Sequence, residues 1–140
     1  MSSTAVPTAA AVVDSSAILA LIIERFSIPA LRSRLLDRAV MLYAPAIIDL
    51  EVLHVLRRYV LFREMDAGEA ETSIEAYGKI EIMRFPHDPL IRRIWELREN
   101  FTAYDAAYVA LAEGMRAPLI TLDARLAKSC PDTIEVELIA

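Results

Sequence analysis

The sequence has a single cysteine, Cys130, so it cannot close an intrachain disulfide. A small disulfide-free domain fits a reducing compartment, and the cytoplasm is the expected location. With no histidine close in sequence, Cys130 reads as a structural or surface thiol rather than a nucleophile. Long apolar runs are missing too. None approaches the roughly 18–20 residues of a membrane span. No basic stretch precedes the apolar residues near the N-terminus, which argues against a signal peptide. Residues 1–9 read as a flexible tail. There is no internal repeat, and no Pro/Gly/Ser-rich linker interrupts the middle. The 140 residues therefore read as one domain, 1–140. Positive charge is also short: 15 Lys and Arg against 20 Asp and Glu give a net charge of −5. That excludes a generic basic coat for nucleic acid. It does not exclude a nuclease, because an acidic metal site biases the total.

What the chain has is apolar segments, 56 % hydrophobic residues in all, broken at regular intervals. Strands are expected at Ala10–Val13, Val40–Tyr43, Ile80–Phe85, Leu119–Leu122 and Ile134–Ile139. A helix follows Asp14, which can cap it. A second starts at Pro29, with Leu31, Leu35 and Leu36 inward. Pro45 suits the first turn of a long helix that runs to about Phe62. Further helices are expected over Asp66–Lys79, from Asp88-Pro89, from Thr102 to about Glu113 with Gly114 near its end, and over Ala124–Lys128. Strands alternating with helices indicate an α/β fold, a mainly parallel sheet of about four or five strands flanked by helices. Ligands in such folds sit beyond the carboxyl ends of the strands, where the strand order reverses.

Four acids stand inside or at the ends of apolar runs: Asp14, Glu51, Asp105 and Asp123. Each has a structural explanation. Asp14 and Asp123 can cap the helices after them. Asp105 stands three residues after Thr102, as in a capping box. Glu51, between Leu50 and Val52, can face solvent from its helix; its neighbour Asp49 is expected in solvent. Taken together they suggest one site. Clustered carboxylates persist only with protons or cations. Oxygen-only ligands suit Mg²⁺ or Mn²⁺ rather than zinc.

These segments resemble the motifs of PIN-domain ribonucleases. Val-Val-Asp14-Ser-Ser-Ala-Ile-Leu resembles the first acidic motif and Asp49-Leu-Glu51-Val the second. Thr102-Ala-Tyr-Asp105-Ala-Ala-Tyr-Val-Ala-Leu-Ala resembles the third, and Leu119-Ile-Thr-Leu-Asp123-Ala-Arg-Leu the fourth. The order and spacing hold over nearly the whole chain, and the size is similar to the stand-alone VapC-type toxins of VapBC toxin–antitoxin pairs. The resemblance implies a PIN-like three-layer fold and a Mg²⁺- or Mn²⁺-dependent endoribonuclease. It also implies an RNA substrate, inhibition by a cognate antitoxin and a homodimer. Asp14, Glu51, Asp105 and Asp123 match the four metal-holding, catalytic positions. Ser15, Ser16 and Thr121 are candidates for supporting them. One departure is the N-terminal extension, usually shorter in the family. Phosphatases of the haloacid dehalogenase type are excluded, because they need a second Asp where Ser16 stands.

Glu51 and His54 form Glu-x-x-His, a di-iron spacing, but no second copy exists; His54 reads as a partly buried helix residue. Arg57, Arg58, Arg116 and Arg125 are candidate contacts to RNA phosphates, with Arg92, Arg93, Arg98 and Lys128 further ones; a solvated helix face is the alternative for each. Tyr59, Phe62 and Trp95 read as core or dimer contacts. Two rivals remain open: a housekeeping RNA-processing nuclease without antitoxin, and a catalytically silent module whose acidic pocket captures an arginine.

Overall fold

The computed structural model describes residues 9–140. Of the expected N-terminal tail, residues 1–8 lie outside the described residues and Ala9 opens the first strand. Five strands form one parallel sheet: β1 (Ala9–Val13), β2 (Val40–Pro45), β3 (Ile82–Phe85), β4 (Leu119–Thr121) and β5 (Val136–Leu138). Their order is β3-β2-β1-β4-β5. The chain thus steps outward from β1 to β3, returns to the other side of β1, and steps outward again. The reversal lies between β1 and β4, where a parallel sheet opens a crevice beyond its carboxyl ends.

The apolar runs explain the centre. Ala11, Val12 and Val13 of β1 are fully buried, as are Leu119 and Ile120 of β4. A continuous apolar strand of this kind suits a sheet covered on both faces. Seven α-helices surround it among the described residues: α1 (Ser15–Ile22), α2 (Pro29–Leu35), α3 (Ile48–Leu61), α4 (Ala67–Gly78), α5 (Ile91–Glu96), α6 (Ala103–Met115) and α7 (Ala124–Ser129). A short 3₁₀ turn over Asp88–Leu90 leads into α5. Helices α1, α3 and α4 pack on one another, and α5 packs on α6. Helix α6 is buried from Ala106 to Ala112 and lies against β1, β2 and β4.

Arginine forks pin both edges of the sheet. Arg34 of α2 donates to both carboxylate oxygens of Glu137 on β5, at 2.7 and 2.9 Å. On β3, Arg84 holds Asp49 of α3, which also accepts from the Tyr77 hydroxyl at 2.6 Å. Asp49 is therefore an ion-pair partner as well as the partly solvated residue its sequence context suggested. Such pairs cover edge strands that would otherwise expose unpaired backbone.

Three local expectations need correction, and one narrows. Pro45 ends β2, paired with Phe85, instead of starting α3; the ladder with β1 has already ended at Tyr43, so the missing N–H breaks no bond on that side. Leu36 follows α2 and is exposed. His54 is exposed on α3. Of the expected core or dimer contacts, Tyr59 packs partly against the core, while Phe62 and Trp95 are outside it at 70 % and 65 % exposure, which leaves them the dimer half of that expectation.

Candidate functional site

Asp14 follows the last residue of β1 and caps α1, accepting from the Ala17 amide at 3.0 Å. Asp123 follows β4 and caps α7, accepting from the amides of Arg125 and Leu126. Both therefore stand at the carboxyl ends of the two strands that flank the reversal. The capping explanation and the site explanation hold together at these positions, because a carboxylate has more than one lone pair.

Two hydroxyls tie these strand ends across the crevice. Thr121 Oγ1 donates to Asp14 Oδ2 at 2.5 Å and accepts from the Asp123 amide at 2.9 Å. Ser16 Oγ donates to Asp14 Oδ1 at 2.7 Å and accepts from the Leu122 amide at 3.0 Å. Thr121 is thus a support for Asp14, and Ser16 is the other. Ser15 does not reach Asp14; it lies near Glu51 and Tyr108 and helps to hold the Glu51 carboxyl down.

Asp105 lies in the first turn of α6, behind the Thr102 cap, whose Oγ1 accepts from the Asp105 amide at 3.1 Å. One helical turn further, buried Tyr108 donates its hydroxyl to Glu51 Oε1 at 2.5 Å. This bond joins α6 to α3 and fixes a side chain that would otherwise be free to swing. Sequence reasoning missed Tyr108. The available signal was its spacing of three from Asp105, which places both on one helix face.

The acids press on one another. Burial pushes the Asp14 carboxyl up from 3.8 to about 6, against the lowering effect of its hydrogen bonds, and nearby Asp123 adds to the rise. Asp105 is raised by burial and then by Asp123. Glu51 is raised by burial and also by Asp105, with the Tyr108 bond acting the other way. The four form a string of electrostatic neighbours: Glu51, Asp105, Asp123, Asp14. Among the described residues none of them has an ion-pair partner. No three Asp, Glu, His or Cys side chains among the described residues are grouped closely enough to hold a metal ion as they stand. Asp14 is buried, Glu51 and Asp105 are half-buried, and Arg125 lowers the charge cost of Asp105. Mutually repelling carboxylates are the oxygen donors that a hard divalent ion would draw together. Cys130 lies near the string: burial, then Asp105 and Asp14, push its thiol up to about 11, the direction that keeps a thiol protonated.

Asp105 and Asp123 open onto a groove of about 690 Å³ whose walls include Arg98, Thr102, Arg125 and Lys128. Of the candidate phosphate contacts, Arg125 is therefore beside the acids. Arg57 and Arg58 are exposed on α3, two turns beyond Glu51. Arg116 sits past the far end of α6, about 16 Å from Asp105 at 1.5 Å per residue. A larger cavity of about 870 Å³, with Leu35, Val40 and Ile80 in its walls, contains none of the four acids.

Comparison with known proteins bears on the same residues. The family model described as PIN domain matches residues 11–130. Ribonuclease VapC9 of Mycobacterium tuberculosis is 35 % identical over 127 residues, covering 88 % of this chain and 96 % of that one. Ribonuclease VapC1 of the same species is 43 % identical over 97 residues, covering 69 % and 73 %. Among solved structures, VapBC2 from Rickettsia felis, bound to a DNA fragment from its promoter, is similar in fold with a TM-score of 0.69. It is 13 % identical and covers 94 % of this chain and 99 % of that one.

Proposed function

The chain belongs to the PIN-domain family, and from that premise we propose that it is a divalent-metal-dependent endoribonuclease, the toxin of a VapBC-type pair. The observation that carries the reading is the string of four electrostatically coupled carboxylates, none in an ion pair among the described residues and two of them at the ends of β1 and β4. Asp14, Glu51, Asp105 and Asp123 would hold Mg²⁺ or Mn²⁺. Bound there, such an ion supplies Lewis acidity toward water and toward a phosphodiester.

The chain's own residues fix the geometry. Thr121 and Ser16 hold both oxygens of Asp14 and join the ends of β1 and β4. Tyr108 holds Glu51. Arg125 stands beside Asp105 and lowers the cost of its charge. All four acids are committed to the site, so none is spare as a dedicated base.

Ribonuclease VapC9 is a relative in sequence, and VapBC2 from Rickettsia felis is similar in fold. On that basis the partners are an RNA substrate and a cognate antitoxin, in the cytoplasm. No helix among the described residues is long and apolar enough to cross a membrane. A homodimer is supported by an apolar stripe along α3: Leu50, Leu53, Leu61 and, just beyond it, Phe62 are all exposed. Arg57 stands among these leucines and is exposed too; clustered exposed apolar side chains on a monomer mark interaction surfaces.

The test is cleavage of RNA by the purified chain with Mg²⁺ or Mn²⁺. Cleavage is expected to stop in EDTA and in Asp14→Asn. Expression should arrest growth, and Asp105→Asn should relieve the arrest. Cleavage that persists in EDTA or in Asp14→Asn overturns the reading.

A further inference from the structure

Most arginines that pair in this structure do so away from the four acids. Arg25 binds Glu69, Arg34 binds Glu137, Arg84 binds Asp49, and Arg93 binds Glu96 and Glu113. Arg98, Arg125 and Lys128, by contrast, are exposed, have no ion pair among the described residues, and line the groove that holds Asp105 and Asp123. Three unpaired cations in a chain of net charge −5 are placed where a polyanion would meet the acids.

A second observation lies at the same place. The Arg98 guanidinium stacks over the Trp95 indole, 4.6 Å from its centroid, and donates to the Trp95 carbonyl oxygen at 3.0 Å. Trp95 is exposed. Arg98 lines the groove and covers one face of the indole, so the pair stands at the groove's rim, at the end of α5, with the rest of Trp95 exposed. Phosphates alone need only cations. A stacking platform next to cations suits a strand whose bases are unpaired.

Resting on the ribonuclease reading, we propose that the groove between the α5–α6 turn and α7 is the track for single-stranded RNA. Arg98, Arg125 and Lys128 hold its backbone, and Trp95 with Arg98 stacks one base beside the cleaved bond. The track therefore runs past α7 and not along the Arg57–Arg58 face of α3. Paired RNA fails on it, because its bases are stacked on each other and cannot reach the platform.

Trp95 is the only tryptophan in the sequence, so its fluorescence reports on this platform alone. The full-length chain, as Asp105→Asn to prevent cleavage, is titrated with an unstructured oligoribonucleotide and with a duplex of the same sequence. Single strands should quench Trp95 and the duplex should not. In the same background, Arg98→Ala/Arg125→Ala/Lys128→Ala should raise Kd at least tenfold by anisotropy of labelled RNA. The slope of log K against log salt should flatten by about two, from roughly 0.7 per contact on a single strand. Arg57→Ala/Arg58→Ala should change either quantity little. RNA binding without quenching overturns the platform. Binding that survives the triple change, or depends on Arg57 and Arg58 instead, overturns the track. Trp95 emission that follows protein dilution and ignores RNA shows that a second copy covers it, and overturns the platform as well. If the parent neither binds nor cleaves RNA, the ribonuclease reading itself falls.

Discussion

Asp14 is expensive where it stands. Its carboxyl, ordinarily at 3.8, is pushed to about 6 by burial. Between those values the folded chain keeps a proton that the unfolded chain has lost. The Asp14 contribution to the stability of the metal-free protein therefore falls as pH rises from about 4 to 6 and is level above. A shift of that size corresponds to about 3 kcal/mol. Asp105 and Glu51 are raised as well, so Asp14→Asn should flatten the slope without removing it, and raise the unfolding temperature at pH 7 in EDTA while abolishing cleavage. Thermal melts across pH 4–8 check it, and a less stable Asn variant at pH 7 would refute it. A divalent ion should stabilise the wild type and do little for the variant. Tyr108→Phe is the complementary change. It removes the bond to Glu51 at a cost of about 1 kcal/mol. The Mn²⁺ concentration for half-maximal cleavage should rise several-fold with only a small drop in melting temperature. At this scale the sequence made the four acids visible, since each interrupts an apolar run. It could not show that Ser16, not Ser15, holds Asp14, because two adjacent hydroxyls differ only by the direction the helix gives them.

Elements were legible where hydrophobic period and caps agreed. Asp66, Thr102 and Asp123 each accept from the amides that their capping role requires. Ends went wrong where a competing interaction decided. Pairing with β3 drew Pro45 into β2. Helix α6 runs through Gly114 to Met115, and Arg116 takes the left-handed cap with φ 54°. The non-glycine cap is strained, costing about 1 kcal/mol. Arg116→Gly should recover up to about that much, seen as a raised urea midpoint at unchanged m-value. Because Arg116 lies at the far end of α6 from Asp105, metal-dependent cleavage should be unaffected.

For the whole molecule, sheet order could not be read from residues, because several orders satisfy the same alternation. That order is what brings the acids of β1 and β4 side by side. The α3 stripe belongs to this scale as well. Leu53→Glu/Phe62→Glu should leave the melting temperature nearly unchanged, since both side chains are exposed. In sedimentation the variant should run as a monomer where the parent runs as a dimer. A parent that is already monomeric would count against the interface. One consequence of the Thr121 bridge reaches beyond the finished protein. It spans 107 residues of sequence, from β1 to β4. During synthesis Asp14 leaves the ribosome more than a hundred residues before Thr121, so the two strand ends cannot be tied before β4 docks. A nascent chain that has not reached β4 therefore carries Asp14 without the hydroxyl that holds it.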